Sequence, residues 1–158
     1  MTYGGRRHLA RLGVLAGLAL GVCGCSVKRM AINKIGDSLV SGSSTFDTDD
    51  DPVLVGEALP FALKLIETLQ VQAPDNQNLL LAATQDFTEY AYAFVEAPAD
   101  EAADADRARS QAMHERARRL YLRARDYGRR GLELRYPGAW AALEQQDRGA
   151  LARVKRKR

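Results

Sequence analysis

Apolar residues along this 158-residue chain recur at intervals of three and four. No stretch sustains the two-residue alternation with β-branched enrichment that marks a strand. The pattern predicts an all-α fold. A short first helix is expected from about Val27 to Val40, with Met30, Ile32, Ile35 and Leu39 as its apolar residues and Gly36 as its weak point. Ser41 to Thr45 then reads as a polar, flexible loop. The acidic run Asp47 to Asp51 meets Pro52, and here helix-start signals coincide. Asp51 is suited to cap, Pro52 to the first helical position, and the carboxylates to the positive end of the helix dipole.

The next helix has a stripe at Val55, Ala58, Leu59, Ala62, Leu65, Ile66 and Leu69, with Glu57, Lys64 and Glu67 left for solvent. Pro60 interrupts it, but the carbonyl four residues back belongs to the small Gly56, so a kink rather than a break is expected. Pro74-Asp75-Asn76 ends this helix and caps the following one. From Leu79 to Val95 the chain is apolar on most sides. Leu80, Ala83, Phe87, Ala91 and Phe94 make one face, widened by Tyr90, Tyr92 and Val95. Such a helix is sandwiched between neighbours, so it should be the packing centre, with any groove beside it.

Glu96 to Asp106 reads as a polar loop that becomes a helix start. The last long helix runs from about Ala102 to Tyr136 and ends at Pro137-Gly138. Its stripe is Ala117, Leu120, Tyr121, Ala124, Gly128 and Gly131, small enough for close approach of another helix. Acids crowd its first turns and arginines its later ones. Glu115 with Arg119 and Asp126 with Arg130 are oriented as i,i+4 pairs, and the arginine-rich face is expected to be solvated.

The N-terminus follows a different pattern. Arg6, Arg7 and Arg11 precede an apolar run from Leu12 to Val22 that is too short to span a bilayer. It closes in Gly21-Val22-Cys23-Gly24-Cys25-Ser26, which resembles the lipobox of bacterial lipoproteins. In that class the thiol takes a diacylglycerol and the chain is cut just before it. Cys25 fits, with Gly24 before it and Val22 three back, whereas Cys23 would place the branched Val22 at the cleavage position. Residues 1–24 are therefore expected to be a signal peptide and Cys25 the lipid attachment site. Acyl chains contribute about 0.8 kcal/mol per buried methylene, so anchoring needs no transmembrane helix. Ser26, with no Asp after the cysteine, points by analogy to the outer membrane. Arg6-Arg7 fits a twin-arginine signal poorly.

Removing that leader changes the charge. The full chain carries 23 Lys and Arg against 20 Asp and Glu, but the leader holds Arg6, Arg7 and Arg11 and no acid. The positive balance thus belongs to the leader and to a basic tail, Arg153 to Arg158, and a nucleic-acid partner is not expected. With Cys25 acylated, Cys23 removed and only His114 left of the histidines, no disulfide, cysteine-metal or multi-histidine site is expected, and no cofactor. About 130 mature residues make one domain. The expected division is 1–24 signal, 25–146 helical domain and 147–158 basic tail.

Three short motifs invite chemistry. Gly36-Asp37-Ser38-Leu39 spells the nucleophile block of an esterase family, but no strand precedes it, and Gln111 stands where that family places an Asp before His114. Asp47, Asp49 and Asp51 mimic EF-hand ligands, yet Pro52 replaces the required Gly and Ala58 the bidentate Glu, so helix capping is the better account. Asp86 and Glu89 beside Tyr90 and Tyr92 read as partners for arginines of the long helix. The chain is expected not to be an enzyme.

Paired antiparallel helices with Pro-Asp-Asn at the turn resemble tetratricopeptide repeats. Leu80, Ala83, Thr84 and Phe87 fall where that repeat expects Trp or Leu, Leu, Gly and Tyr. A closer likeness lies in four segments. These are Cys25 to Ala31 with Asn33 and Gly36-Asp37; Asp49 to Pro52 with Ala58 to Lys64; Phe87-Thr88 with Tyr90 to Val95; and Arg116 to Gly128. Together they resemble the T component of TRAP transporters, the TatT-like lipoproteins, over about Cys25 to Leu151. The resemblance implies a partial helical-repeat array facing the periplasm, working with a solute-binding receptor for small organic acids. The partners it implies are that receptor, the membrane through the N-terminal lipid, and further copies of the chain in a homo-oligomer. Members of that family continue with further aromatic-rich helices, whereas this sequence ends in Ala152 to Arg158, so a truncated product is expected. The alternative reading is a scaffold lipoprotein of the cell envelope unconnected with transport.

Overall fold

Asp51 starts the main body of the protein, its carboxylate accepting from the backbone N–H groups of Val53 and Leu54 at 3.0 Å, with Pro52 at the first helical position. The computed structural model describes residues 27–38, 48–152 and 154. Residues 27–38 form helix α1. It is followed by α2 (Pro52–Gln72), α3 (Gln77–Ala91), a π-helical turn (Tyr92–Glu96), α4 (Ala97–Glu101), α5 (Arg107–Arg135), α6 (Ala139–Glu144) and α7 (Arg148–Leu151). The fold is all-α, with no strand among the described residues. The leader, Cys25, Leu39 and Val40, the Ser41–Thr45 loop, Asp47, and most of the basic tail lie outside them.

Pro60 sits inside α2 without ending it. The buried line of α2 is Val55, Leu59, Leu63, Ile66 and Gln70, which corrects the expected stripe. Leu63 and Gln70 join the core and Leu65 faces solvent, because the line facing α3 steps by four and three from Leu59. The amide nitrogen of buried Gln70 donates to the carbonyls of Ala73 and Pro74 just past the end of its own helix, while its Oε1 is buried without a hydrogen-bond partner among the described residues. Asn76 then caps α3, its side chain accepting from Leu79 N at 2.8 Å.

Helix α3 is the centre of the packing, with Leu79, Leu80, Ala82, Ala83, Phe87, Tyr90 and Ala91 buried. It runs antiparallel to α5. Tyr90 meets Arg116, Phe87 meets Arg123, Thr84 lies over Gly128 and Leu80 over Gly131. It is antiparallel to α2 as well, since Phe94 beyond its C-terminus covers Gly56 near the start of α2. Of the repeat-like positions, Leu80, Ala83 and Phe87 are buried and Thr84 is half-buried. Tyr92, expected to widen the apolar face, points to solvent instead.

The loop expected at Glu96–Asp106 is helical through Glu101. The polar composition of the stretch suggested a loop, and Pro98 in a regular α-helix would clash with the carbonyl of Phe94, four residues back. The π-turn removes the conflict: Ala97 N bonds to Tyr92 O, five residues back, and the widened turn carries the chain past Phe94. Val95 and Ala99 stay buried across it. Helix α5 therefore starts later than expected, at Arg107, with Asp106 as cap.

Helix α1 docks across the α2–α3 turn. Ile32 packs in a small cluster with Ala73 and Leu79, against which Leu69 also rests. Arg29 pairs with Asp75, Lys28 donates to Gln72 Oε1 at 2.7 Å, and Asn76 donates to Asn33 Oδ1 at 2.7 Å. Gly36 is not simply a weak point of this helix. It is buried, and a Cβ there would stand 3.1 Å from Asn76 Oδ1 and 3.2 Å from Leu79 Cγ, so its lack of a side chain lets the two helices touch. After α5, Gly138 adopts a left-handed conformation at φ 82°, and Glu133 accepts from the N–H groups of Gly138 and Trp140 to cap α6. Those two backbone donors hold the Glu133 carboxyl below the usual range.

Candidate functional site

Helix α5 carries Arg116, Arg123 and Arg130 at seven-residue intervals, which puts them along one side of the helix. Each guanidinium lies over a ring: Arg116 over Tyr90 at 5.6 Å, Arg123 over Phe87 at 5.4 Å and Arg130 over Tyr127 at 5.8 Å from the centroid. Tyr127 also stacks on Phe87, with centroids 5.8 Å apart. Part of the arginine-rich face is therefore a packing surface, although Arg118, Arg119 and Arg125 do face solvent. Glu115 pairs with Arg119 at 3.5 Å as the spacing predicts. The expected Asp126–Arg130 pair is replaced, since Asp126 meets Arg125 at 2.9 Å and Arg130 reaches the Pro74 carbonyl at 3.2 Å. Stacking on Tyr127 draws Arg130 toward the α2–α3 turn.

Glu67 is the acid at the centre of this surface. It was expected in solvent, yet its side chain is only 16% exposed, because α5 lies over it. Tyr127 donates to Glu67 Oε1 at 2.8 Å, Lys64 donates to Oε2, and Arg123 stands 3.4 Å from Oε1. Burial pushes the Glu67 carboxyl up, but the Lys64 and Tyr127 hydrogen bonds and the Arg123 charge outweigh it, leaving it below the usual range. Burial and the bond to Glu67 push the Tyr127 phenol up to about 12. A second tie repeats the arrangement at the middle of α5, six residues earlier. Tyr121 donates to Glu96 on the π-turn, and burial with that bond raises its phenol to about 12.

Three open crevices meet at Tyr127. One of about 470 Å³ is bordered by Lys64, Glu67, Thr68, Pro74 and Arg130. A second of about 410 Å³ lies along α5 among Arg119, Arg123, Asp126 and Arg130. The third, about 310 Å³, is the apolar groove between α3 and α5, lined by Leu80, Leu81, Thr84, Gly128 and Leu132. Cations, one aromatic ring and an apolar trough thus adjoin, a combination suited to contact with an anionic, partly apolar surface.

The motifs that suggested chemistry are kept apart. Ser38 donates to the Lys34 carbonyl at 2.9 Å within α1, beside the α2–α3 turn. His114 lies 3.3 Å from Asp100, at the opposite end of the helices. Asp49 accepts from Asp51 N at 2.9 Å, ordering the lead into the cap. Among the described residues no group of three His, Cys, Asp or Glu could hold a metal. Cys25 lies outside them. Glu67 and Tyr127, 60 positions apart, were not foreseen as a pair, and nothing local in the sequence marks either one.

The described part is thus a helical scaffold presenting a cationic and aromatic crevice. Residues 48–157 match the TRAP transporter T-component family, TAtT, and the chain belongs to that family. It is also similar to an uncharacterized protein of Treponema pallidum (strain Nichols), 32% identical over 145 residues. That match covers 83% of this chain but only 45% of the relative, so the chain spans less than half of the relative's length. No solved structure matches it. The family is one of transporter accessory proteins. No helix among the described residues is long and apolar enough to cross a membrane.

Proposed function

We propose that this protein is a lipid-anchored, periplasm-facing accessory of a TRAP-type uptake system that associates with the system's solute-binding receptor. The family match over residues 48–157 is the observation that carries this reading. Anchoring is assigned to Cys25, where Gly24 precedes the thiol and an apolar leader precedes both. Acylation there holds the helical domain at the envelope surface, with the outer membrane as the destination. The protein acts by binding, and the crevices around Tyr127 are the receptor-facing surface.

The test is co-purification from detergent-solubilised membranes of cells that also express the receptor of the same system. The native chain should retain the receptor and incorporate labelled palmitate. Cys25→Ser should lose the label and move to the soluble fraction. A lipidated chain that never retains the receptor would favour an envelope scaffold unconnected with transport.

A further inference from the structure

Helix α1 uses only part of its circumference to hold the fold. Ile32 and Gly36 face the α2–α3 turn, while Lys28, Arg29 and Asn33 tie it down on the flanks. The opposite face carries Val27 at 61% exposure, Met30 at 56%, and exposed Ala31 and Lys34. Its apolar end is the end next to Cys25. One residue, Ser26, separates Cys25 from Val27, so the backbone of the anchored cysteine lies within about 7 Å of chain from the start of the helix.

We infer that α1 lies on the lipid surface by its Val27–Met30–Ala31 face and thereby fixes the orientation of the whole domain. This rests on acylation of Cys25. Buried apolar contact and attraction to anionic headgroups both favour the placement. With Arg29 paired to Asp75, Lys28 and Lys34 are the cations α1 offers to headgroups, and Lys34 is long enough to reach them from the apolar face. Charge at the far end acts in the same sense. Asp50 and Asp51 precede α2, Asp100 and Glu101 close α4, and Asp104 and Asp106 lead into α5, outnumbering Arg107 and Arg109 in its first turn. The antiparallel packing gathers these acids at the end opposite α1. Helix α2 has 21 residues, which sets that end about 30 Å from the α2–α3 turn. An anionic membrane attracts the α1 end and repels the acidic one.

Because α1 is tied to α2 and α3 through Arg29–Asp75 and Ile32, the domain stands upright rather than swinging on its lipid. The α2–α3 turn faces the bilayer, and α5 presents its long side parallel to the membrane normal.

The test uses the mature, acylated chain in vesicles of phosphatidylcholine with about a third phosphatidylglycerol. An environment-sensitive fluorophore is placed on Met30→Cys or, separately, on Val53→Cys at the far end, both exposed positions. Intact mass establishes acylation at Cys25 in each preparation. The label at position 30 should shift to the blue and lose at least half its emission to nitroxide lipids, while the label at position 53 stays aqueous. Two aqueous labels on an acylated chain would overturn the placement and leave the anchor standing. A chain without the acyl mass would overturn the anchor and the placement together.

Discussion

The phenol of Tyr127 donates to the carboxylate of Glu67 at 2.8 Å, joining α5 to α2 across 60 positions of sequence. Lys64 and Arg123 share the same carboxylate, and Phe87 of α3 stacks on the Tyr127 ring, so one residue pair touches all three long helices. Tyr127→Phe keeps the stacking and removes the donor. It should cost about 1.5–3 kcal/mol in urea unfolding, the range for a hydrogen bond to a charged group, and raise the Glu67 pKa. An unchanged midpoint would show the bond to be idle.

The same pair predicts how stability follows pH. Glu67 has a folded pKa below its ordinary 4.5, so its contribution is complete above that value and is lost as pH falls through the folded value. Tyr127 and Tyr121 have folded pKa values of about 12 against an ordinary 10, so they keep their protons when the unfolded chain has lost them. Their contribution is complete below pH 10 and disappears between 10 and about 12. Thermal unfolding followed across pH should show a plateau with loss at both ends, and Tyr127→Phe should soften the alkaline limb.

Two glycines should respond in opposite directions. A Cβ on Gly56 would come 2.7 Å from the Phe94 ring, so Gly56→Ala should destabilise by about 1 kcal/mol despite the better helix propensity of alanine. Combining it with Phe94→Leu should recover most of that loss. A Cβ on Gly131 meets Leu80 Cβ at an ordinary 3.5 Å, and Gly131→Ala should stabilise by about 0.5–1 kcal/mol. Chemical denaturation of the three variants decides the matter. Equal effects at the two glycines would contradict the packing described.

The helices themselves were legible in the sequence because their cues are local. Asp51-Pro52 and Pro74-Asp75-Asn76 act through hydrogen bonds within a few residues, so cap chemistry located both ends of α2. The polar stretch from Glu96 misled, since the π-turn that carries the helix on past Pro98 has no local cue in the sequence. Glu67 was assigned to solvent because a carboxylate between Ile66 and Thr68 looks like any surface acid until Tyr127 arrives from a distant helix. Asp126 and Arg130 had ideal spacing, but the ring of Tyr127 and the Pro74 carbonyl compete for the same arginine. Spacing shows which partners are within reach, and tertiary packing selects among them.

Arg119 tests the proposed receptor contact. It lies on the crevice beside Tyr127, is 62% exposed and takes part in only a peripheral pair with Glu115. Arg119→Glu should leave the unfolding midpoint within about 0.5 kcal/mol of native, as expected for a surface substitution. Receptor retention should nevertheless fall several-fold. Full retention would move the contact away from this crevice.

The central claim is most directly tested by titrating the purified solute receptor onto the acylated protein anchored in vesicles, followed by a labelled receptor. A TRAP accessory should bind saturably, with a dissociation constant on the order of micromolar, and binding should weaken with the Arg119→Glu variant. No saturable binding at concentrations up to about 100 μM, with Cys25 acylated and the helices intact by circular dichroism, would contradict the account.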